Sequence, residues 1–305
     1  MIHPVIFIVG PTGSGKSKLA FMLAKKIKGE IVSCDSMQVY QGMDIGTAKP
    51  TKKEQEKIRH HLLDLISPRK EYSVFQYRNF ALMALQKIIC RRHQPIVVGG
   101  SGLYVKAMVD GLSPQPGKQA GFRKSLQHIS AAKLHQKLKK IDPLRAHKIN
   151  VHDRKRIIRA LEIYEASNRR MSEWEKETRG LESENLRPLV FGVIRGRAEL
   201  YKRIEDRIDK MFQKGWISEV KRLKRAGFSK TAQFAIGYKE ILEYLAGKID
   251  EGQMIFEIKK RTRHLAKRQL TWFKKDPRIS WIQMSKESYS SAAKQIIAQI
   301  RSEID

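Results

Sequence analysis

Gly10, Gly15, Lys16 and Ser17, within GPTGSGKS, stand at the spacing G-x-x-x-x-G-K-[ST] with which a backbone closes around a phosphate chain. Glycines let successive N–H groups turn inward, the lysine adds a positive charge, and the hydroxyl offers magnesium a ligand. The whole loop, Gly10, Pro11, Thr12, Gly13, Ser14, Gly15, Lys16 and Ser17, is the candidate site for a pyrophosphate or longer chain. Mg2+ is the expected cofactor, with Ser17 its protein ligand. The motif specifies a phosphate chain but no reaction, since kinases, nucleotide hydrolases and pyrophosphate-displacing transferases can all use it.

Further polar residues follow. Asp35, in SCDSMQVY, is open to three readings: a magnesium ligand, a general base, or an Asx-turn residue. Gln38 and Tyr40 add hydrogen-bonding and stacking capacity, and MDIGTAKP places Asp44, Thr47 and Lys49 on a loop that either reads a substrate or is ordinary polar surface. His60 and His61 are adjacent, so their side chains diverge, and no Cys or third His is spaced to complete a metal site. Ser101 is open to hydrogen bonding a ligand or to simple turn formation.

Elements that deliver these residues are visible as periodicity. The apolar run Val5 to Val9 enters the phosphate loop, and Leu19, Leu23 and Ile27 then recur at helical spacing. A second short strand, Glu30 to Ser33, leads to Asp35, and a third, Ile96 to Val98, leads to Gly99-Gly100-Ser101-Gly102, with a helix over Phe75 to Cys90 between them. Alternating strands and helices predict an α/β fold, a P-loop NTPase-like parallel sheet flanked by helices, with ligands at the carboxyl ends of the strands. From Leu112 the texture changes to a proline and glycine hinge and then helical patterns. Strand character returns at Pro188 to Ile194, and the stretch from Glu199 to about Ile304 reads as amphipathic helix broken at Gly227, Gly237, Gly247 and Pro277. The expected organisation is a discontinuous catalytic core, residues 1–112 and 188–305, with an all-helical insertion over 113–187.

Among 305 residues, 61 Lys+Arg against 31 Asp+Glu give a net charge of +30, which favours a polyanionic partner. No apolar run approaches the roughly 20 residues that span a bilayer, so no membrane association is expected. Cys34 and Cys90 are far apart and fit a reducing compartment; a cytoplasmic location is expected.

The combination GPTGSGKS, DSMQVYQGMDIGTAKP, HHLLDL, GGSGLY, AIGYKE and TRHLAKRQLTWF resembles the tRNA dimethylallyltransferase family over nearly the whole chain, in the family's order. The resemblance implies transfer of a dimethylallyl group from dimethylallyl diphosphate to the exocyclic amine of the adenosine 3′ of the anticodon, in tRNAs reading codons that begin with U. It implies that Lys16, Ser17 and Arg207 hold the diphosphate, with Arg203 a second candidate, and that Asp35 is the general base. Ser101 stands where relatives typically carry Thr, as Ser17 does. Asp35, Ser36, Met37, Gln38, Ser101, Arg123, Lys155, Arg156, Ile157, Ile158, Arg159, Phe234, Ala235, Ile236, Gly237, Tyr238 and Lys239 are then the expected tRNA contacts, through the anticodon stem-loop. The target base is expected to leave its stack and enter a channel. Arg154 and the run Lys259, Lys260, Arg261, Arg263, His264, Lys267 and Arg268 before Trp272-Phe273 extend the expected RNA surface. A monomer is the default.

Overall fold

Strand β1 (His3–Val9) is apolar from residue 5 onward and wholly buried there, as a strand with helices on both faces must be. The computed structural model describes residues 2–284 and 288–302. After β1 come α1 (Lys16–Lys26), β2 (Gly29–Cys34), α2 (Lys52–Lys57), β3 (His60–His61), α3 (Val74–Cys90), β4 (Gln94–Gly99) and α4 (Gly102–Val109). Five helices follow, α5 (Ala120–Ser125), α6 (Ala131–Ile141), α7 (Pro143–Lys148), α8 (Arg154–Ser167) and α9 (Met171–Lys176). The chain continues through β5 (Leu186–Ile194), α10 (Arg197–Gln213), α11 (Trp216–Ala226), α12 (Tyr238–Tyr244), α13 (Glu251–Phe273), β6 (Ser280–Gln283) and α14 (Tyr289–Ser302). The expected helical stretch to Ile304 runs past α14 into residues 303–304, which lie outside the described residues. Strands β3 and β6, two and four residues long, carry too little pattern to be read from sequence.

The chain divides into two units, Met1–Val109 with Glu184–Asp305, and Asp110–Ser183. In the first, one sheet runs β3-β2-β4-β1-β5-β6 with every pairing parallel. Register aligns Cys34 with Gly99, Gly99 with Val9, and Val9 with Gly192. The residues after β1, β2 and β4, namely Gly10, Asp35 and Gly100, therefore leave the sheet side by side. One face of the sheet packs Ile6, Ile8, Ile31, Ile96 and Phe191 against Leu19 and Leu23 of α1 and Ile296 and Ile300 of α14. Helix α3 starts at a capping box signalled by Ser73 and Gln76: Gln76 N donates to Ser73 Oγ at 3.2 Å, and Ser73 N donates to Gln76 Oε1 at 3.0 Å.

At the opening of β2, buried Glu30 accepts from Arg91 Nε and Nη2 at 2.9 and 2.7 Å and is bonded to His61 at 2.6 Å and His93 at 2.7 Å. These partners outweigh the opposing effect of burial and hold its carboxyl down at about 2. His61 thus ties edge strand β3 to β2, and His60 Nδ1 lies 2.7 Å from Ile58 O.

The second unit is all helical over the described residues. Leu126, Leu134, Leu138, Ala146, Ile149, Ile157, Ala160 and Leu161 form its core. Fully buried Glu162 accepts from Gln119 N at 2.7 Å, Arg123 Nε at 2.7 Å and Arg159 Nη1 at 2.8 Å. Three of the expected RNA contacts, Arg123, Ile157 and Arg159, take part in this packing. The Ile157 side chain is core, and Arg123 and Arg159 converge on a carboxylate that would otherwise be buried without a counter-charge. Arg154 donates to the carbonyls of Leu126 and Gln127 at 2.5 and 2.8 Å and also to that of Ile129, holding the exit of α5. Lys155 and Arg156 remain exposed on α8, Arg156 near Asp153 at 3.4 Å, while Ile158 is partly buried against the core.

Candidate active site

The phosphate loop turns through left-handed glycines, with Gly15 at φ +99° directly before α1. A side chain at Gly15 would be strained by that φ and would meet the Tyr289 hydroxyl at 2.5 Å, so only glycine fits. The carbonyls of the loop are braced from outside the site. Arg195 Nε donates to Ser14 O at 2.8 Å and Arg203 Nε to Gly13 O at 3.0 Å. Arg203, a second candidate for the diphosphate, therefore supports the loop, whereas Arg207 lines the cavity.

That cavity holds about 1240 Å³, more than the roughly 300–1,000 Å³ typical for one small ligand. Thr12, Lys16, Ser17, Asp35, Ser36, Met37, Gln38, Ser101, Arg207, Phe234, Ala235 and Ile236 all line it, so most of the residues singled out in the first unit meet in one space. Gly237, Tyr238 and Lys239 stand behind that wall. Tyr238 is fully buried, and Lys239 pairs with Glu243 at 3.5 Å. From α13, Arg261, Thr262, Leu265, Arg268, Gln269 and Trp272 close another side. Of the basic run on that helix, Lys259 pairs with Asp209 at 2.7 Å, Lys260 with Glu257 at 3.0 Å, Arg263 with Glu205 at 2.5 Å, and Arg261 with Glu240. Phe273 is buried, and Trp272 is 43% exposed.

Lys16 and Arg207 are two of the cations that line this cavity. Burial lowers the Lys16 ammonium to about 8, Arg207 pushes the same way, and Asp35 opposes both. Arg207 is likewise lowered by burial, donates to Thr12 Oγ1 at 2.5 Å, and keeps a buried Nε with no hydrogen-bond partner among the described residues. Two cations disfavoured by burial, Lys16 also by Arg207 and Arg207 also by Arg203, make a site whose charge an anion would satisfy.

The Asx-turn reading of Asp35 holds: Met37 N donates to Asp35 Oδ1 at 2.9 Å. The turn fixes the carboxylate at the exit of β2 while Asp35 still lines the cavity, so it is compatible with a proton-accepting role. Ser101 Oγ accepts from Ser36 N at 3.2 Å, linking the loops after β4 and β2. Gln38 accepts from Ser33 Oγ at 2.8 Å and donates to Thr47 O at 3.1 Å. Lys49 lines the cavity, yet its ammonium is held by Asp44 and Asp64, both at 2.6 Å, and by Tyr40 O at 2.9 Å.

Magnesium fits here only as a shared ion. Ser17 and Asp35 offer oxygen ligands to one cavity, but among the described residues no group of three or more His, Cys, Asp or Glu could cage a metal. Phosphate oxygens and water would have to complete an octahedral shell.

Gln269 was not visible as a site residue. Thr12 N donates to its Oε1 at 2.8 Å, and its Nε2 donates to Gly100 O at 2.9 Å, so one side chain joins the phosphate loop to the loop carrying Ser101. The available signal was its place in the buried series Ile258, Thr262, Ala266 and Phe273 on α13, where a glutamine needs partners.

A braced phosphate loop at the carboxyl edge of an all-parallel sheet, opening on a cavity that also holds a carboxylate, defines a phosphate-loop α/β protein. Comparison with known proteins narrows the class. The chain belongs to the IPP transferase family, whose model matches residues 38–276. It is 46% identical to the tRNA dimethylallyltransferase of Carboxydothermus hydrogenoformans, over 98% of each chain, and 40% identical to that of Thermotoga maritima, over 93% of each. Among solved structures, the tRNA isopentenylpyrophosphate transferase of Bacillus halodurans is 35% identical with a TM-score of 0.74, covering 99% of this chain and 96% of that one. A eukaryotic dimethylallyltransferase acting on tRNA is 30% identical with a TM-score of 0.83, covering 99% and 79%.

Proposed function

We propose that this protein transfers a dimethylallyl group from dimethylallyl diphosphate to the exocyclic amine (N6) of the adenosine 3′-adjacent to the anticodon, in tRNAs reading codons that begin with U, releasing diphosphate. The relatives named above act as tRNA dimethylallyltransferases by name, and family membership carries the reading to this chain. The observation that supports it most directly is the pair Lys16 and Arg207, both lowered by burial, beside Asp35 in one cavity.

Adenine's exocyclic amine is a weak nucleophile because its lone pair is shared with the ring. In the proposed step that lone pair forms a bond to the first carbon of the prenyl group. The carbon–oxygen bond breaks, and its electrons leave with the diphosphate. Lys16, Arg207 and the loop amides stabilise the charge that accumulates on the departing oxygen. Asp35, held by its Asx turn, accepts the proton lost by the amine. Magnesium, bound by Ser17 and the phosphates, would neutralise leaving-group charge further. Met37, Trp216, Phe234, Ile236 and Trp272 offer the prenyl group and the base an apolar wall.

Exposed Lys155 and Arg156 on α8 and exposed Arg268 on α13 are the cations proposed to meet phosphates of the anticodon stem-loop. Incubation with dimethylallyl diphosphate, magnesium and unmodified tRNA, followed by nuclease digestion and mass spectrometry, should yield prenylated adenosine. Adenosine monophosphate offered as the acceptor should remain unmodified. Labelled phosphate appearing on an acceptor from ATP, with no prenyl product, would refute the reading.

A further inference from the structure

Glu219, on the first turn of α11, is buried, and its carboxylate is met by three backbone amides and a phenol, with no cation among its hydrogen-bond partners in the described residues. Its Oε2 accepts from Asp44 N at 2.9 Å and Ile45 N at 2.8 Å; its Oε1 accepts from Gly46 N at 3.2 Å and from the Tyr238 hydroxyl at 2.7 Å. A single carboxylate therefore ties together two chain segments nearly 200 residues apart, residues 44–46 and the start of α12. Both segments lead into the cavity wall. The first continues as Gly46, Thr47, Ala48 and Lys49, and the second is preceded by Phe234, Ala235 and Ile236.

Packing enforces the same arrangement. Trp216, three residues before Glu219 on the same helix, fills the space beside Gly46 and Gly237. A Cβ at Gly46 would lie 2.2 Å from Trp216 Nε1, and one at Gly237 would lie 2.0 Å from Trp216 Cζ2. The consequence reaches Gln38, whose Nε2 donates to Thr47 O at 3.1 Å and Ala48 O at 3.3 Å. Displacing residues 44–48 would release the amide of Gln38, which lines the cavity beside Asp35.

We propose that Glu219 is a positioning residue for the acceptor: its carboxylate fixes residues 44–48 and 234–238 as one wall and thereby orients Gln38 toward the incoming base. The proposal rests on the tRNA-prenylating function stated above. Glu219 touches none of the phosphate-loop residues in its hydrogen-bond set, so its loss should spare the donor.

Glu219→Gln presents an NH2 group to amides and a phenol that donate, so at least one segment must move away. The KM for tRNA should rise about tenfold or more, the scale of losing hydrogen bonds to a charged group, while the KM for dimethylallyl diphosphate stays within about twofold. Because Gln38 acts through the same loop, Gln38→Ala should cost less in the Glu219→Gln background than in the wild type. Tyr238→Phe removes a single bond, leaves the carboxylate in place, and should give a smaller shift of the same kind, which keeps the idea testable if Glu219→Gln does not fold. Donor and acceptor constants rising together, or tRNA KM unchanged in a folded variant, would overturn it. Amide hydrogen exchange at residues 44–46 separates the two readings: should the wild type prenylate no tRNA, the functional reading falls, and unchanged exchange in Glu219→Gln would overturn the clamp itself.

Discussion

Raising the pH through 8 should strip the phosphate loop of its side-chain charge before any ordinary lysine titrates. Lys16 is held near 8 instead of 10.5 by burial and by Arg207. A bound diphosphate prefers the ammonium form, so binding drives the value back up. Complete restoration would span 10.5 − 8 = 2.5 pH units, a ceiling of ~300-fold in affinity. Over a practical window the effect is smaller. Between about pH 7 and about pH 9 the protonated fraction of the free protein falls about tenfold, and donor affinity should fall with it. The sign follows from which state holds the proton: affinity is full below the free-protein value and is lost as pH rises through it. Titration calorimetry with dimethylallyl diphosphate and magnesium, without tRNA, measures this directly. Lys16→Met should bind weakly and lose the slope. A flat affinity over that window, or the same slope in Lys16→Met, would refute the reasoning.

Asp35→Asn keeps an oxygen for Met37 N and so keeps the turn; turnover should nevertheless fall by about 10² to 10⁴ while donor and tRNA still bind, and near-normal single-turnover rates would remove Asp35 as the base. Glu30→Gln leaves Arg91, His61 and His93 facing a neutral amide, and chemical denaturation should show a loss of about 3 kcal/mol. In the wild type, the stability due to Glu30 is complete above 4.5 and should disappear as pH falls toward 2, because its carboxyl is lowered in the folded state. The tRNA affinity should drop with salt at a slope near −0.7 per phosphate neutralised in single-stranded regions, and a flat response would exclude extensive backbone contact.

The phosphate loop, Asp35 and Ser101 were legible because each follows an apolar strand directly, so chain order and parallel register suffice to bring them together. Glu219 and Gln269 were not. Each makes its bonds across long separations, 257 residues in the case of Thr12 and Gln269, and nothing local to a glutamate or glutamine announces a distant amide. The ion pairs of Arg123 and Arg159 were hidden for a related reason: a guanidinium looks alike in sequence whether it faces water or a buried carboxylate such as Glu162. Asp35 was left among three readings, and the fold shows that a turn-forming carboxylate can still line the reactive cavity.

The hydrogen bonds around the phosphate loop also order events in time. Residues 10–17 are synthesised well before the groups that steady or charge the loop, Arg195, Arg203, Arg207 and Gln269, whose bonds to it span 181 to 257 residues. Strand β1 likewise waits for β4 and β5, the neighbours with which it pairs. A fully braced phosphate loop can thus exist only once α13 has been made.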